Sequence, residues 1–459
     1  MSNLLAILAQ ASGSLAAHSA AAATAGHNLQ NAGTAGYARQ RATLGAVTPA
    51  YFVGAGWIGR GVALQGITRA RDQFVEAQLP AALGGEAKAR AEAEALRAVH
   101  VLDPGLPGGL SGSIADFYGS LRALSASPSD GVLRGGAVRA ADTLARSFRS
   151  AAAGIRDARK AIDADLQARL PAVNDAAARF ADLNRQIRAA ASTGAPPNDL
   201  LDARQRLQDE LVALTGAQPV AEASGDVHLL LPGGGALVSG TAAASLAVAP
   251  DPANAGLLAV QLVPPGGGAP RPLGGMGGAI GGLLSARDGA LAEAGRRLDR
   301  LAYDFGSALD GAHAAGVGTD GAPGGPMFQF GAVDGAALRF AVDPALLADP
   351  ARLATAAPGA PAGDGANLLR LVATETGADP AGALGSLTAA FGAATARAES
   401  AAEHEAALLD HLSTLRESAS GVSVDEELVE LTRAQRAYEA VGKVIRVTDE
   451  MLQSLLELR

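Results

Sequence analysis

A chain of 459 residues can bury the cores of two or three domains unaided, and the absence of cysteine excludes disulfides, thiolate nucleophiles and Cys-type zinc sites. A formal charge of −9, with Lys88, Lys160 and Lys443 the only lysines, argues against a phosphate-tracking surface. Aromatic residues make up 3% of the chain, too few for base-stacking platforms or a large aromatic pocket, whereas abundant Ala and Gly suit long helices joined by turns.

The first charged residue is Arg39, so no positive n-region of a secretory signal precedes the apolar stretch Leu4 to Ala25. Gln10, Ser12, Gly13, Ser14, His18, Ser19 and Thr24 interrupt that stretch, which fits an uncharged amphipathic helix better than a membrane span or cleaved signal. Leu4, Leu8, Ala11, Leu15, His18, Ala22, Ala25 and Leu29 alternate steps of four and three, the spacing of a coiled-coil seam. Asn31, Gly33 and Gly36 then favour turns, Tyr37 offers a packing anchor, and Arg39 can reach carbonyls or carboxylates. Residues 1–68 thus form an N-terminal helix and spacer.

Residues 69–217 read as the first part of a helical body. Ala141, Phe148, Ile155 and Ile162 recur every seven residues, and a step of four resets the phase to Leu166, Val173, Phe180 and Ile187, with a kink expected at Pro171. A shorter helix follows Pro196 to Asn198, burying Leu200, Leu207, Leu211 and Leu214 before Gly216 stops it. Residues 218–273 differ: Val227 to Leu231, Leu237 to Val238 and Leu257 to Val263 are short β-prone runs between Gly, Pro and Asn clusters, a small β-rich insert. Gly274 to Gly282 reads as a linker into the second part of the body, residues 274–420. Leu284, Leu291, Leu298 and Phe305 mark a long helix there. An irregular stretch at 316–365 has an expected strand at Leu338 to Val342, and Leu384, Leu387, Phe391, Leu408, Leu412 and Leu415 mark a helix ending near Ser418 to Gly421.

Residues 421–459 mirror the N-terminus. Val424, Leu428, Leu431, Gln435, Tyr438, Gly442, Ile445, Asp449, Leu452 and Leu456 follow the same steps, and Ser423 with Glu426 forms a capping box. The fold class is therefore mainly α with a small β-rich insert: paired, coiled-coil-like terminal helices plus a long-helix bundle. The termini are expected together at one end and the insert at the other, where it should matter less to assembly than the helices.

Catalytic constellations end in near misses. His404, Glu405 and His411 resemble a zincin motif, but histidines seven apart lie about 10 Å apart along a helix and cannot share a metal. Gly274 to Gly282 places Ile280 where a dinucleotide-binding fingerprint needs glycine, and no lysine follows a phosphate-binding loop. No catalytic, cofactor-binding or metal-binding residue is nominated, and an enzyme is not expected.

Two segments at opposite ends carry a resemblance. NLQNAGTAGYARQ (Asn28 to Gln40) is similar to the N-terminal signature of flagellar rod, hook and hook-associated proteins. SGVSVDEELVELTRAQRAYEAVGKVIRVTDEMLQSLLELR (Ser420 to Arg459) resembles their C-terminal helix. Arg39–Gln40, GAGWIGRGV (Gly54 to Val62), PPNDLLDARQRL (Pro196 to Leu207), GGLLSARDGALAEAGRRLDRLAYDFGSAL (Gly281 to Leu309) and FAVDPALLADPARLATA (Phe340 to Ala356) point within that family to the first hook-associated proteins. The insert is shorter than in other members, and His18 and Gly442 depart from a well-packed seam.

The resemblance implies a structural subunit joining hook to filament. It implies a helical ring of copies of the chain, with the hook protein and the third hook-associated protein as neighbours and an export chaperone as a further partner, and no nucleic acid, membrane or cofactor. Localisation is expected to be secreted, in the extracellular flagellum, by type III export without a cleaved signal peptide. Leu4, Leu8, Leu15, Leu29, Tyr37, Arg39, Val424, Leu428, Leu431, Tyr438, Ile445, Leu452 and Leu456 are the expected assembly interface. Two rivals share the terminal motifs: a distal rod or hook subunit, and an extracellular enzyme or adhesin on an axial scaffold.

Overall fold

The computed structural model describes residues 2–52, 56–100, 108–191, 196–361 and 363–457. Met1, Gly54, Ala55, Leu458 and Arg459, which belong to segments read above, lie outside them. The order opens with α1 (Ser2–Gln30) and an antiparallel hairpin whose inner part is β1 (Gln40–Ala46) on β4 (Val62–Arg69) and whose outer part is β2 (Ala50–Phe52) on β3 (Gly56–Ile58). Then come α2 (Gln73–Arg97), α3 (Leu110–Ser125), α4 (Gly131–Ala191) and α5 (Asn198–Thr215). The insert holds a four-stranded sheet, β5 (Gln218–Ala221), β6 (Val227–Leu230), β7 (Ala236–Ser239) and β8 (Ala242–Ala243). It also holds a three-stranded sheet of β9 (Ser245–Pro250), β10 (Leu258–Val263) and β11 (Arg271–Pro272), ordered β11-β10-β9. The chain continues through α6 (Gly278–Ser285), a π-turn at Ala286–Ala290 and α7 (Leu291–Ala314). Next are β12 (Phe328–Gln329), α8 (Ala336–Arg339), β13 (Ala341–Val342), α9 (Pro344–Ala348) and α10 (Ala366–Gly377), and last α11 (Pro380–Ser420) and α12 (Val424–Glu457).

The heptad stripes of the body are real buried faces. All eight residues from Ala141 to Ile187 in the two phases read from sequence are buried along α4, a helix about 90 Å long that continues through Pro171 without a break. Its first half packs on α3, α7, α8 and α10 around Phe117, Tyr118, Phe148, Phe305, Phe328 and Phe340, so one cluster gathers half of the chain's ten phenylalanines. Its second half packs on α2, α5, α6 and the insert, and a third, small cluster joins Val75, Leu79 and Ala82 of α2 to Leu412 of α11.

Four sequence readings are corrected. The insert does not lie opposite the termini. β5 and β6 fold back along α5, so that Arg204 Nη1 donates to the Gly225 carbonyl (2.8 Å) while the first turn of the same α5 bonds to the terminal hairpin. Leu229, Leu237, Val238, Leu246 and Leu262 share one core with Leu166, Val173 and Phe180 of α4, and the far end of the molecule is instead the Phe-rich cluster. Second, half of the supposed glycine linker is the buried start of α6: a Cβ on Gly282 would strike the Lys88 carbonyl of α2, and Gly277 and Gly278 press on Gly216, whose left-handed φ of 68° ends α5 as expected. Third, the π-turn shifts the register before α7, which leaves Leu284 half-buried while Leu283, Ala286 and Leu291 are buried. Fourth, Leu338 is helical and only Ala341–Val342 pairs, with Phe328–Gln329.

The segment at 316–365 is held down by buried polar groups. His313 Nδ1 donates to the Gly325 carbonyl (2.7 Å) and its Nε2 accepts the Ala354 N–H (2.9 Å). The Arg134 guanidinium donates to the Pro128 and Leu353 carbonyls, both at 2.7 Å, and to the Thr355 hydroxyl. The ties to Gly325, Ala354 and Leu353 satisfy backbone groups of this irregular segment.

Candidate assembly junction at the root of the terminal helices

α1 and α12 run antiparallel and form the most extensive helix pairing in the fold, the end of α1 meeting the start of α12. α1 is long and apolar enough to cross a membrane over Leu4–Gln30, but its inward face carries polar groups with partners: Ser14 Oγ accepts the Val62 N–H (3.2 Å) and Asn28 is 1% exposed. The inward stripe is built from small residues, with Ala11, Ser14, Ala17, Ala25 and Asn28 buried, while the expected seam leucines Leu4, Leu8, Leu15 and Leu29 flank it, half-buried.

On α12 the seam is out of phase with the sequence reading. Glu427, Ala434 and Thr448 are the buried positions, with Leu431, Ile445 and Leu452 half-buried beside them. Val424, Leu428, Tyr438 and Leu456 are exposed in the single chain. The cause is Glu427, whose carboxylate is drawn inward by two partners and so sets the rotation of the helix. α12 exposes further apolar residues as well, Val429, Val444, Val447, Met451 and Leu455.

Those partners form the centre of the junction. Asn28 uses its whole amide: Nδ2 donates to the Gln40 carbonyl (2.8 Å) and Glu427 Oε2 (2.9 Å), and Oδ1 accepts the Gln40 N–H (2.9 Å) and the Tyr37 hydroxyl (2.7 Å). Arg39 donates from Nε to Glu427 Oε1 and from Nη1 to Glu426 Oε2, both at 2.6 Å, and its backbone N–H donates to the Ser420 carbonyl (2.9 Å). The capping box is therefore half-formed: Ser423 Oγ accepts the Glu426 N–H at 3.5 Å, but the Glu426 carboxylate bonds to Arg39.

The start of α5 completes the knot. Asp202, buried, accepts the Ala38 N–H (3.2 Å) and Arg69 Nη1 (2.8 Å), and Asn198 Nδ2 donates to Gln40 Oε1 (3.2 Å) and the Ile67 carbonyl (3.1 Å). One layer further, Arg416 of α11 pairs with Asp209 (3.0 Å) and Glu76 (3.2 Å). The three segments NLQNAGTAGYARQ, PPNDLLDARQRL and the start of SGVSVDEEL, far apart in sequence, thus meet at one place.

Electrostatics follow from the crowding. Burial, and then the carboxylates of Asp199, Asp202 and Glu427, push the Tyr37 phenol well above its ordinary value, so Tyr37 stays a neutral donor to Asn28. Burial alone would lower the Arg39 pKa, but Glu426 and Glu427 outweigh it and raise it. Burial, then Arg69, lowers Arg204 to about 10, reflecting the concentration of arginines around α5. Among the described residues no group of three His, Asp or Glu side chains is placed to hold a metal. The groove between α1, β1 and α12, about 470 Å³ and lined by His18, Thr24, Arg41, Glu430 and Arg433, mixes both charge signs. This arrangement fixes the angle between the helix pair and the body. Tyr37 and Arg39 were legible as anchors, whereas Asn28, Glu427 and Asp202 were not singled out, although each lies inside a quoted segment.

Comparison with known proteins adds independent evidence. Residues 104–328 match the model of the flagellar hook-associated protein FlgK helical domain, and residues 416–458 that of the flagellar basal body rod FlgEFG protein C-terminal region. The flagellar hook-associated protein 1 of Salmonella typhimurium is 31% identical over 322 residues, covering 69% of this chain and 58% of that protein. The Bacillus subtilis protein of the same name is 26% identical over 96% of each chain. A solved structure of the flagellar hook junction protein FlgK from Burkholderia pseudomallei superposes with a TM-score of 0.51 at 29% identity, over 56% of this chain and 47% of that one. The chain therefore spans somewhat more than half the length of its enterobacterial relative. The chain is thus similar to hook-associated protein 1 and, at its C-terminal end, to the wider family of flagellar rod and hook proteins.

Proposed function

We propose that this protein is a structural subunit of the bacterial flagellum that forms the junction between hook and filament by helical self-assembly. The observation that carries the reading is the convergence of the family's N-terminal and C-terminal segments on one buried knot, Asn28–Arg39–Glu427, at the root of an antiparallel helix pair. The helical-domain match over 104–328 favours this role over a distal rod or hook subunit. Its neighbours are the hook protein on one side and the third hook-associated protein on the other, with an export chaperone before assembly, and it reaches the cell exterior by type III export with its N-terminus uncleaved. Val424, Leu428, Tyr438 and Leu456, exposed in the single chain, supply the apolar face that neighbouring copies cover, while Leu431, Ile445 and Leu452 hold α12 to α1. Its task is mechanical, and no residue is assigned a catalytic role.

Antibody labelling of isolated flagella tests the placement. A single band of label where hook meets filament is expected; label along the hook or confined to the rod would overturn it.

A further inference from the structure

The outer part of the terminal hairpin carries an exposed aromatic pair. Tyr51 and Trp57 face each other across β2 and β3, edge to face at 5.6 Å, and are 61% and 72% exposed. Trp57 is the chain's single tryptophan. Large aromatics of this kind are characteristic anchors of protein interfaces. The surrounding arm is basic: the first 71 residues contain five arginines and no Asp or Glu, so the rest of the chain carries a formal charge of −14. Arg39, Arg69 and Arg71 are used within the junction, whereas Arg60, on the same arm three residues after Trp57, has no ion-pair partner among the described residues.

Elsewhere in the fold lies a groove with an apolar lining and charges of both signs. It runs between α2, the π-turn with the start of α7, and α11, encloses about 490 Å³, and is floored by alanines with Leu387 and Phe391. At its edge stands Glu92, a half-buried carboxylate with no hydrogen-bond or ion-pair partner among the described residues; burial holds its pKa above the ordinary carboxylate value although Lys88 opposes that. The π-turn lies beside the groove, a distortion that is frequent at functional sites.

We infer that the Tyr51–Trp57 pair of one copy seats in the α2–α7–α11 groove of a second copy, with Arg60 pairing with Glu92. The groove has room for two aromatic side chains, its alanines, Leu387 and Phe391 are apolar, and Glu92 offers a carboxylate to Arg60, while the other charged residues lining it are Glu293, paired with Arg297, and Arg397. The contact joins two different faces, so it is heterologous and propagates from copy to copy along an assembly. It rests on the self-assembly proposed above.

The absence of native cysteine makes the test clean. A strain lacking the native gene is complemented with the double variant W57C/A394C, and separately with the control W57C/V132C, Val132 being exposed on another surface. Purified flagella are run on non-reducing gels. Expected are filaments in both strains and a ladder of disulfide-linked oligomers at least 10-fold stronger with A394C than with V132C. Filaments without that ladder overturn this inference and leave the junction role intact; hooks and filaments that form normally with no copy of the chain overturn the junction role itself. As a second arm, E92R is expected to weaken the ladder at least 5-fold and R60E in the same chain to restore it. A ladder indifferent to both substitutions would overturn the Arg60–Glu92 pairing.

Discussion

Asn28 and Glu427 are 399 positions apart, yet Asn28 Nδ2 lies 2.9 Å from Glu427 Oε2 in a site closed to solvent. Asn28 alone would be a polar residue in a helix of alanines, and Glu427 alone would be one of three acids in the first turn of α12. Joined by Arg39, they decide which face of α12 meets α1.

The two acids beside Arg39 should behave differently. The Glu427 side chain is 3% exposed and that of Glu426 63% exposed. Arg39→Ala strands a buried carboxylate and is expected to cost about 3–5 kcal/mol. Glu426→Gln removes a solvent-screened partner and should cost less than about 1 kcal/mol. Urea unfolding monitored through the exchange of α12 amides distinguishes the two; equal effects would mean that Glu427 is not the buried partner.

The far end should soften at acid pH. Burial lowers the His313 pKa below its ordinary 6.5, against the opposing pull of Gly325, Asp310 and Asp343. A histidine whose folded pKa is depressed contributes stability that is fully present above the unfolded value, about 6.5, and is lost as pH falls through the folded value. The mechanism is local: neutral Nε2 accepts the Ala354 N–H, and a protonated ring would turn that acceptor into a donor. Tm measured from pH 7.5 to 5 is expected to drop more steeply in the native chain than in His313→Gln, and parallel slopes would contradict the assignment.

Two glycines separate packing from flexibility. Gly282→Ala drives a Cβ into the Lys88 carbonyl, a backbone atom that cannot rotate away, and is expected to destabilise the fold by about 3 kcal/mol. Gly289→Ala, in the π-turn with open space around it, should change stability by about 1 kcal/mol or less. The comparison is read from urea midpoints at unchanged slope.

The insert is a structural wall as well as a surface feature. Replacing residues 222–266 by a short Gly-Ser linker removes Leu229, Leu237, Val238, Leu246 and Leu262 from the core they share with Phe180 and Leu166. Each buried leucine or valine contributes about 1.5–3 kcal/mol, so the truncated chain is expected to be soluble only as a partly unfolded species with exposed apolar surface. A cooperative unfolding transition like that of the full chain would contradict this.

What was legible in the sequence follows from the kind of force that shapes each part. The faces of α4, and most of that of α7, could be read because a single apolar stripe has one way to be buried, as Phe148, Phe180 and Phe305 show. The end of α5 was readable because only glycine settles easily at the φ that Gly216 adopts. α12 was misread in phase because its apolar residues are not confined to one face, and the face that meets α1 is chosen by Glu427, a charge, through a partner in another segment. The hairpin at 40–69 was taken for a spacer although β1 and β4 are seven and eight residues long. Apart from Gln40, the residues of β1 and β4 are at most half-buried, so they carry little of the alternation that marks a strand over a core. The close approach of α6 to α2 was invisible because glycine-rich runs serve linkers and tight contacts alike, and only the neighbouring backbone tells them apart.

The junction role is tested most directly by deleting the gene and examining the cells and their medium. The account predicts complete hooks, no filaments, and filament subunits accumulating in the culture supernatant, with motility restored by the native chain and not by Arg39→Ala. Full-length filaments in the deletion strain, or loss of the hooks themselves, would contradict it.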